Sequence, residues 1–593
     1  MKLGKFGKGA AVIAMATLAL AACTSEDPQG ETTPGPTATE SGATGGTNDD
    51  TIYYSVGEVE WAGYNSLLGS TYSTYNSAVN DRVITGFTFF GPDATIERNE
   101  DMGTFELISE DPMVVEFTIN EAAVWSDGTP ITYDDALFSW ASQAIADGEG
   151  EDGTPVPLFD HVSGLDYGDR VPAGPEGEAG GKTFTLTYES PFPDYQLQTV
   201  IAHPAHVMAR EAGTTVEDMS AAIKAGDVEA LRPVAEFWNT GLLSGTPGEL
   251  PDPEIALSSG PYTYGSWEAG QSITLVPNEN YWGDAPATRE LVFRFAAPET
   301  HVQALANGDL NAIEPQATVD TISQIEALGD AVTLGTFQTL TWEHLDINRN
   351  EGGSLAESAE LREAFAMCVP RQLIIDNLIA PVNPDAVMMN AREVFPFQDS
   401  YDEVVSASYD GRYDEVDIDG AAAKIAEAGV DTPVTVRIGY SAPNQRRTDQ
   451  VALIKDSCDQ AGFEIQDIGA DTFFAAGGDL DSGNFDVALF AWQGSGQIAS
   501  GQNIYSTGRP QNYIGYSNAD VDAAWEILAT TLDTDVQLEQ TKIIEQLLWD
   551  DMYGIPIFAH PGVAAWDSSI QNVEPSSAQG GLLWNAEEWV RAD

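Results

Sequence analysis

The chain has 593 residues, with 25 Lys or Arg against 93 Asp or Glu, so its formal net charge is −68 at pH 7. A surface of this sign repels nucleic acid, so the charge excludes a nucleic-acid-binding protein and indicates solubility. Because 42% of the residues are hydrophobic, with 13 Trp and 20 Tyr, the composition also excludes a disordered acidic chain; the length allows several domains or one large multi-lobed body.

Residues 1–22 have the pattern of a cleavable export signal. Lys2, Lys5 and Lys8 precede an apolar stretch, Ala10 to Ala19, that is too short to cross a membrane. The next four residues, Leu20-Ala21-Ala22-Cys23, resemble the lipobox of bacterial lipoproteins, in which the cysteine is diacylated after cleavage. The alternative is an ordinary signal with an incidental cysteine. We therefore predict lipidation of Cys23 and a location on the extracellular face of the cell membrane, or on its periplasmic side where an outer membrane exists.

Residues 23–50 predict a disordered tether. They are rich in Pro, Gly, Ser and Thr and contain almost no large apolar side chain. Such a segment cannot bury enough surface to offset the entropy of ordering it. It would hold a folded body away from the membrane, although a tail without a role has the same composition.

Two further cysteines, Cys368 and Cys458, predict a disulfide, because an even pair in an exported protein is typical of one. Both lie in runs with apolar residues at helical spacing, 361–379 and 449–463. Two helices packed side by side would bring the sulfurs into range. Two separately buried thiols are the alternative.

From Thr51 onward, short strand-like runs alternate with amphipathic helices, which predicts an α/β fold. The sequence has no GxxxxGK[ST], no GxGxxG after a strand, no HExxH and no GxSxG. We therefore predict no enzymatic activity and no cofactor. Carboxylate pairs are too frequent in this chain for any one of them to indicate an acid/base site.

Several segments have a specific pattern of strands, turns and helices. In VWSDGTPITYDDALFSW, which starts at Val124, Thr132 is placed to cap a helix whose first turn carries two acids. The segment 259–283, SGPYTYGSWEAGQSITLVPNENYWG, predicts two strands joined by a turn at Glu268-Ala269-Gly270. A strand and a helix ending at Asn307-Gly308-Asp309 follow, and then the helical run around Cys368.

These segments, in this order, resemble the family 5 extracellular solute-binding proteins, the oligopeptide, dipeptide and nickel receptors of ABC importers, and are closest to actinobacterial members. The resemblance covers Thr51 to Asp593. It implies a bilobal periplasmic-binding-protein-like fold, class II and peptide-type, with an additional inserted domain. The implied ranges are 51–91, 201–335 and 555–593 for lobe I, 92–200 for the inserted domain, and 336–554 for lobe II. Closure would be a hinge rotation about the cleft between the lobes.

The resemblance also implies a ligand site in that cleft, where an extended peptide adds its main chain to strands of both lobes. Trp492 matches the family's cleft tryptophan, at the point where a strand enters a glycine-rich loop; a core tryptophan is the alternative. Tyr505 is a weaker candidate, and core burial is as good an interpretation for Phe473. The predicted ligand-binding residues are Tyr72, Ser73, Thr74, Tyr75, Asn76, Phe473, Trp492, Gln493, Gly494 and Ser495.

Ser495 departs from the family pattern. Peptide receptors of the family often place an aspartate there, three residues after the tryptophan, to pair with the ligand's ammonium. A hydroxyl cannot replace a buried ion pair. The sequence therefore predicts an uncharged or N-blocked peptide unless an acid elsewhere in the site substitutes.

The implied partners are a peptide or related small solute and an ABC permease with its cytoplasmic ATPases, and we expect a monomer. Rival interpretations within the same fold are a nonpeptide solute, a glycolipid, or a regulator of envelope assembly. His203 and His206 are close in sequence, but Pro204 between them disfavours one helix face, so we predict no metal site.

The lipobox yields a direct prediction for Cys23→Ser. Without the acylated thiol, the protein should move from the membrane fraction to the medium, with its folded body unchanged in circular dichroism. Fractionation followed by immunoblotting measures this. Retention of the variant at the membrane would exclude the lipobox interpretation.

Overall fold

The computed structural model describes residues 51–150, 153–243, 245–350, 352–475, 477–494 and 496–592. The predictions for the export signal, Cys23, the tether and Ser495 lie outside these residues.

Lobe I contains a four-stranded mixed sheet in the order β1-β12-β11-β10. The bounds are β1 Thr51–Gly57, β10 Tyr262–Glu268, β11 Ser272–Pro277 and β12 Glu290–Phe295. β1 pairs with β12 in parallel, and the other pairs are antiparallel. The predicted turn joins β10 to β11, and Gly270 supplies its left-handed backbone with φ +67°.

The predicted inserted range contains an antiparallel sheet in the order β4-β5-β9-β8. The bounds are β4 Gly103–Glu110, β5 Met113–Ile119, β8 Glu176–Gly177 and β9 Thr183–Thr187. Phe105 and Phe117 of this sheet share one hydrophobic core with Phe87 and the lobe I strands. The inserted domain and lobe I are therefore packed together as one apolar body.

Lobe II contains a six-stranded sheet in the order β13-β18-β14-β17-β15-β16. The bounds are β13 Ala312–Ile313, β14 Val332–Ile347, β15 Val434–Gly439, β16 Phe463–Asp467, β17 Val487–Gln493 and β18 Gly554–Asp567.

The long antiparallel pair β14 and β18 runs across both predicted lobe boundaries. Its register shifts twice, first between Gln338, which pairs with Pro561, and Trp342, which pairs with Ala559, and again between Glu343 and His344. The strand ends before the first shift, with β13, pack in a small core with two helices of lobe I, α7 (His301–Asn307) and α8 (Val319–Glu326). The strand ends beyond it belong to the core of lobe II. The exact domain boundaries stay a prediction.

Six short strands form separate two-stranded pairs: β2 Thr88–Phe90 with β3 Ile96–Arg98, β6 Ala146–Glu149 with β7 Pro155–Pro157, and β19 Ile570–Gln571 with β20 Val590–Arg591. The helices before residue 330 are α1 Thr74–Asn80, α2 Tyr133–Ala141, α3 Asp166–Arg170, α4 Ala205–Glu211, α5 Val216–Ala225, α6 Val228–Glu236, α7 His301–Asn307 and α8 Val319–Glu326. Those after it are α9 Ala359–Cys368, α10 Arg371–Leu378, α11 Tyr401–Ser408, α12 Ile418–Ala428, α13 Gln445–Cys458, α14 Gln502–Tyr505, α15 Ala519–Ala529 and α16 Thr534–Asp550. In the described residues, no helix combines the length and the apolar character that a membrane crossing requires.

Two predicted helix boundaries are confirmed. Thr132 caps α2 through a capping box with Asp135, whose carboxylate accepts a hydrogen bond of 2.7 Å from the Thr132 backbone N–H. Gly308 ends α7 in the left-handed conformation. The run around Cys368 differs from one continuous helix, because Pro370 has no N–H to continue α9 and a second helix, α10, starts at Arg371.

The predicted disulfide between Cys368 and Cys458 is confirmed. Each cysteine is the last residue of a helix, α9 or α13, and the Cα atoms are 5.0 Å apart. The hydroxyl of Ser457 donates a hydrogen bond of 2.6 Å to the Cys368 carbonyl, which ties the two helix ends together. Both cysteines lie in the core of lobe II.

This crosslink spans a separation of 90 residues, so the chain-entropy model gives it about 4 kcal/mol of stabilisation. Replacing both cysteines by Ala in the Cys23→Ser background should lower the free energy of unfolding in urea by that amount. The parent should show no free thiol when denatured without reductant. Two reactive thiols in the parent would contradict the disulfide.

Candidate functional site

A cavity of about 1820 Å³ lies between the two lobes. This volume exceeds the roughly 300–1,000 Å³ of a typical small-ligand pocket. Lobe I and the inserted domain contribute Leu67, Phe138 and Arg170, among others, and lobe II contributes Trp342 and Trp492. A solute in the cavity would therefore touch both lobes at once.

Trp492 lines this cavity, as predicted for a cleft residue. It lies near the end of β17, opposite Trp342 of β14. Its ring is held by Phe490 at 5.2 Å and by Tyr513, stacked at 5.7 Å. Its indole N–H is shielded from solvent and has no hydrogen-bond partner among the described residues. The structure thus leaves this N–H unpaired within a residue of the cavity wall.

The other predicted residues of lobe II divide into two groups. Gln493 and Gly494 line the cavity, and the Gly494 N–H donates a hydrogen bond of 2.7 Å to the Leu340 carbonyl, which attaches the start of the loop to β14. Phe473 does not line it: its ring is fully buried against Phe485 at 5.8 Å, in a core between β17 and the helices of lobe II. The structure gives Phe473 a packing role.

The predicted run in lobe I is not brought to the cavity as an extended segment. Only Tyr72, which is 62% exposed, lines it. Ser73 caps α1 by accepting a hydrogen bond from the Asn76 N–H, and Thr74 is the first residue of that helix. Tyr75 packs against Gly57, and the buried Asn76 side chain bonds the main chain of Ala62 and Gly63. A run of small polar residues followed by Ala and Val is typical of a capped helix start, and this signal is present in the sequence.

Asp194, which the sequence did not single out, connects the lobes across the cavity. Its carboxylate accepts hydrogen bonds from the backbone N–H groups of Ile498, at 2.8 Å, and Ala499, at 3.0 Å. Burial raises the pKa of Asp194 even though both bonds favour the charged form. The same loop also approaches the Phe90 ring closely at Gly496. A Cβ at this position would stand 2.9 Å from the ring, and the backbone is left-handed with φ +72°, so glycine is favoured there. The loop after Trp492 is therefore attached to the inserted domain through Asp194 and packs against lobe I at Phe90.

Two histidines line the cavity and are neutral. Burial lowers the pKa of His161 to about 4 and that of His203 to about 3. His203 accepts a hydrogen bond from the Trp238 indole, whereas His206 pairs with Asp127 at 3.0 Å. The two histidines of the His-Pro-Ala-His run therefore have different partners. Among the described residues no group of three or more metal-ligating side chains is assembled.

A buried charge cluster forms the lobe II side of the cavity. Arg392 donates a hydrogen bond of 2.9 Å to Glu545, and both side chains are almost fully buried. Next to this pair, Glu393 lines the cavity, and burial, reinforced by the charge of Glu545, raises the pKa of its carboxyl to about 8. The one sequence signal for this cluster is the charged pair Arg392-Glu393 inside an apolar run. The residues that surround the pair in space come from α14 and α16, more than a hundred residues later in the chain.

The family model described as Bacterial extracellular solute-binding proteins, family 5 Middle, matches residues 104–512, which is more than half of the chain.

The chain belongs to the family 5 solute-binding proteins.

Relatives agree with this assignment. An uncharacterized lipoprotein of Mycobacterium tuberculosis is 28% identical over 527 residues, covering 86% of this chain and 88% of the relative. The oligopeptide-binding protein OppA of the same organism is 25% identical, over 81% of this chain and 75% of OppA. A periplasmic EDTA-binding protein, EppA, superposes with a TM-score of 0.78 at 23% identity, over 92% of this chain and 97% of that structure. The predicted α/β bilobal fold is confirmed.

In this family 5 protein, we expect the hydrogen bonds of Asp194 to hold the two lobes together. Asp194→Ala removes both hydrogen bonds that the Asp194 carboxylate accepts, each worth about 1.5–3 kcal/mol when the carboxylate is ionised, so the closed arrangement should be destabilised. Small-angle scattering of the solute-free variant should show a larger radius of gyration. Asp147→Ala is the matched control, because Asp147 lies in the same domain but pairs with Arg232 outside the cavity. An unchanged scattering curve for Asp194→Ala would show that these hydrogen bonds do not hold the lobes together.

Proposed function

We propose that this solute-binding protein is the lipid-anchored receptor of an ABC importer, which captures a peptide between its lobes and delivers it to the membrane permease. The observation that carries the proposal is the 1820 Å³ cavity lined by both lobes. A solute held there stabilises the closed arrangement, and a permease that reads closure can recognise the loaded receptor.

The lining of the cavity is suited to a peptide main chain. Side-chain amides both donate and accept hydrogen bonds, so they can pair with peptide N–H and C=O groups without reading the side chains. The amide residues along the cavity wall are Gln143, Gln198, Gln398, Gln493, Gln497, Gln502, Asn503, Gln511, Gln537 and Gln579. Peptides of mixed sequence could therefore share one binding mode.

Two properties of the relatives support the location and the ligand class. The mycobacterial relative at 28% identity is named a lipoprotein, in agreement with Cys23 as the acylated residue. The relative OppA is named an oligopeptide-binding protein. The EDTA-binding relative shows that this fold also accommodates a nonpeptide solute, so the binding experiment below includes that outcome.

Trp492 provides the test of the site. Incubation of the Cys23→Ser protein with a casein hydrolysate, followed by gel filtration and mass spectrometry, should recover bound peptides. Calorimetry with a recovered peptide should show that Trp492→Ala loses about 2 kcal/mol or more, because a desolvated aromatic anchor is removed.

The matched control is Trp282→Ala. Trp282 is also partly buried, but it lies outside the cavity and donates its indole hydrogen bond to the Asp101 carbonyl. Recovery of a nonpeptide solute from the protein as purified, with no peptide bound from the hydrolysate, would replace the peptide by that solute. Equal affinities of the Trp492→Ala variant and its parent would place the site elsewhere.

A further inference from the structure

Glu393 is an acid of the cavity wall whose carboxyl the protein leaves unpaired. Its backbone N–H donates a hydrogen bond of 2.8 Å to Glu545, but in the described part of the chain no hydrogen bond reaches its own carboxyl oxygens. Arg392, the neighbouring cation, is already paired with Glu545. A partly buried carboxyl without a partner is costly, so a missing partner is expected at this point.

The carboxyl of Glu393 is accommodated by a glycine at the start of α14. A Cβ at Gly501 would stand 2.5 and 2.6 Å from the two Glu393 oxygens, and at the same distance of 2.6 Å from the Trp525 ring. Any other residue at this position would push the carboxyl away. The main chain of the loop is therefore shaped around the acid.

Tyr505 supplies a second unpaired polar group at the same place. It lines the cavity, is 1% exposed, and its hydroxyl has no hydrogen-bond partner among the described residues. Burial, and next the charge of Glu393, raise the pKa of this hydroxyl, so the two groups are within electrostatic reach of each other. They are not hydrogen-bonded to each other, so the phenol oxygen and the carboxyl both remain without a partner among the described residues.

The cavity as a whole favours a cation. The acids along its wall are Asp166, Asp169, Glu189, Asp194, Glu393 and Glu526, against the three cations Arg170, Arg392 and Arg509. Arg170 is paired with Asp166 at 3.0 Å, and Arg392 with Glu545. An acidic cleft with low-dielectric walls attracts positive ligand groups.

We propose that Glu393 and Tyr505 bind a protonated amine of the solute, with the carboxylate as counter-ion and the phenol oxygen as a second acceptor. This deepens the proposed function and rests on it, since the amine would belong to the captured solute. It also supplies the acid that Ser495 does not provide.

Binding at this site should release protons. The groups that face Glu393 are Glu545 on α16, Arg392 beside it and Tyr505 on α14. With the cavity empty, burial and then Glu545 raise the pKa of Glu393 to about 8, so the carboxyl is mostly protonated at pH 7. An ammonium favours the ionised form, so the carboxyl proton leaves to solvent when the amine binds. Affinity should therefore rise with pH up to about 8, provided the amine itself remains protonated.

The experiment uses the same casein hydrolysate with its primary amines free or fully acetylated. The parent should bind amine-bearing peptides about ten- to a hundredfold more tightly than their acetylated forms. Glu393→Gln should abolish this preference while retaining the acetylated peptides. Tyr505→Phe, which removes a hydroxyl that has no partner, should reduce the preference without unfolding the protein. Glu539→Gln is the control, because it makes the same side-chain change at an exposed position of α16 outside the cavity.

The outcomes separate this inference from the proposed function. If the parent binds neither peptide pool, the peptide receptor itself is refuted. If it binds both pools equally, and Glu393→Gln changes nothing, the amine site is refuted and the receptor stands. Calorimetry at pH 7 in phosphate and in Tris, whose ionisation enthalpies differ, should count about one proton released per amine-bearing peptide by the parent and about none by Glu393→Gln. Equal proton counts would also refute the site.

Discussion

The structure depends on one buried carboxylate, Glu343, which lies in β14 between the two register shifts of its pairing with β18. Glu343 is fully buried and accepts hydrogen bonds from Arg447 at 2.9 and 3.1 Å, from Gln450 at 3.0 Å and from His560 at 2.9 Å. Burial opposes its ionisation, but the bond from His560 and the charges of Arg447 and Arg446 hold the pKa of Glu343 well below its usual range. A buried charge persists only with such a complete set of partners.

The partners of Glu343 come from elements that must stay in register for the cleft to exist. Arg447 and Gln450 lie on α13 of lobe II, and His560 lies on β18 beside the first register shift. Opposite this shift, the Thr339 hydroxyl donates to the His560 carbonyl at 2.9 Å, which fixes the irregular stretch of β14. The two strands that connect the lobes, β14 and β18, are thus fixed to each other at the irregular stretch near His560. The loops that line the cavity are attached to the parts of the strands beyond this stretch.

Local signals in the sequence were sufficient for individual helix ends and turns, whereas the bilobal arrangement was predicted from the family resemblance. The cap at Thr132, the turn at Gly270 and the stop at Gly308 each depend on residues within one turn of themselves, so pattern and spacing reveal them. The disulfide was predictable because only two cysteines remained to pair. The interruption between α9 and α10 at Pro370 was also predictable from the sequence, since proline cannot continue a helix.

The candidate site was only partly predictable, because its polar groups meet through tertiary structure. Trp492 could be placed by its strand and the loop that follows, and it lines the cavity. Phe473 has similar local surroundings, yet it is a core residue, since only the packing of lobe II decides which face its ring takes. Asp194 and Ile498 are 304 residues apart, and no periodicity connects them.

The frame of the protein and the wall of its cavity place different demands on the sequence. The frame is made of hydrogen-bonded strands and apolar cores, whose requirements many sequences satisfy, so a TM-score of 0.78 coexists with 23% identity. The cavity wall is made largely of loop residues, such as 496–501, whose side chains contribute little to the cores. If Glu393 binds the amine of the solute, a change at this residue would alter which charge the cavity accepts, and Glu393 lies outside β14, β18 and the Glu343 cluster. Gly501 is more constrained, because a Cβ there would stand 2.6 Å from the buried Trp525 ring as well as against the Glu393 carboxyl. Specificity would then be set at a position that the strands connecting the lobes do not use.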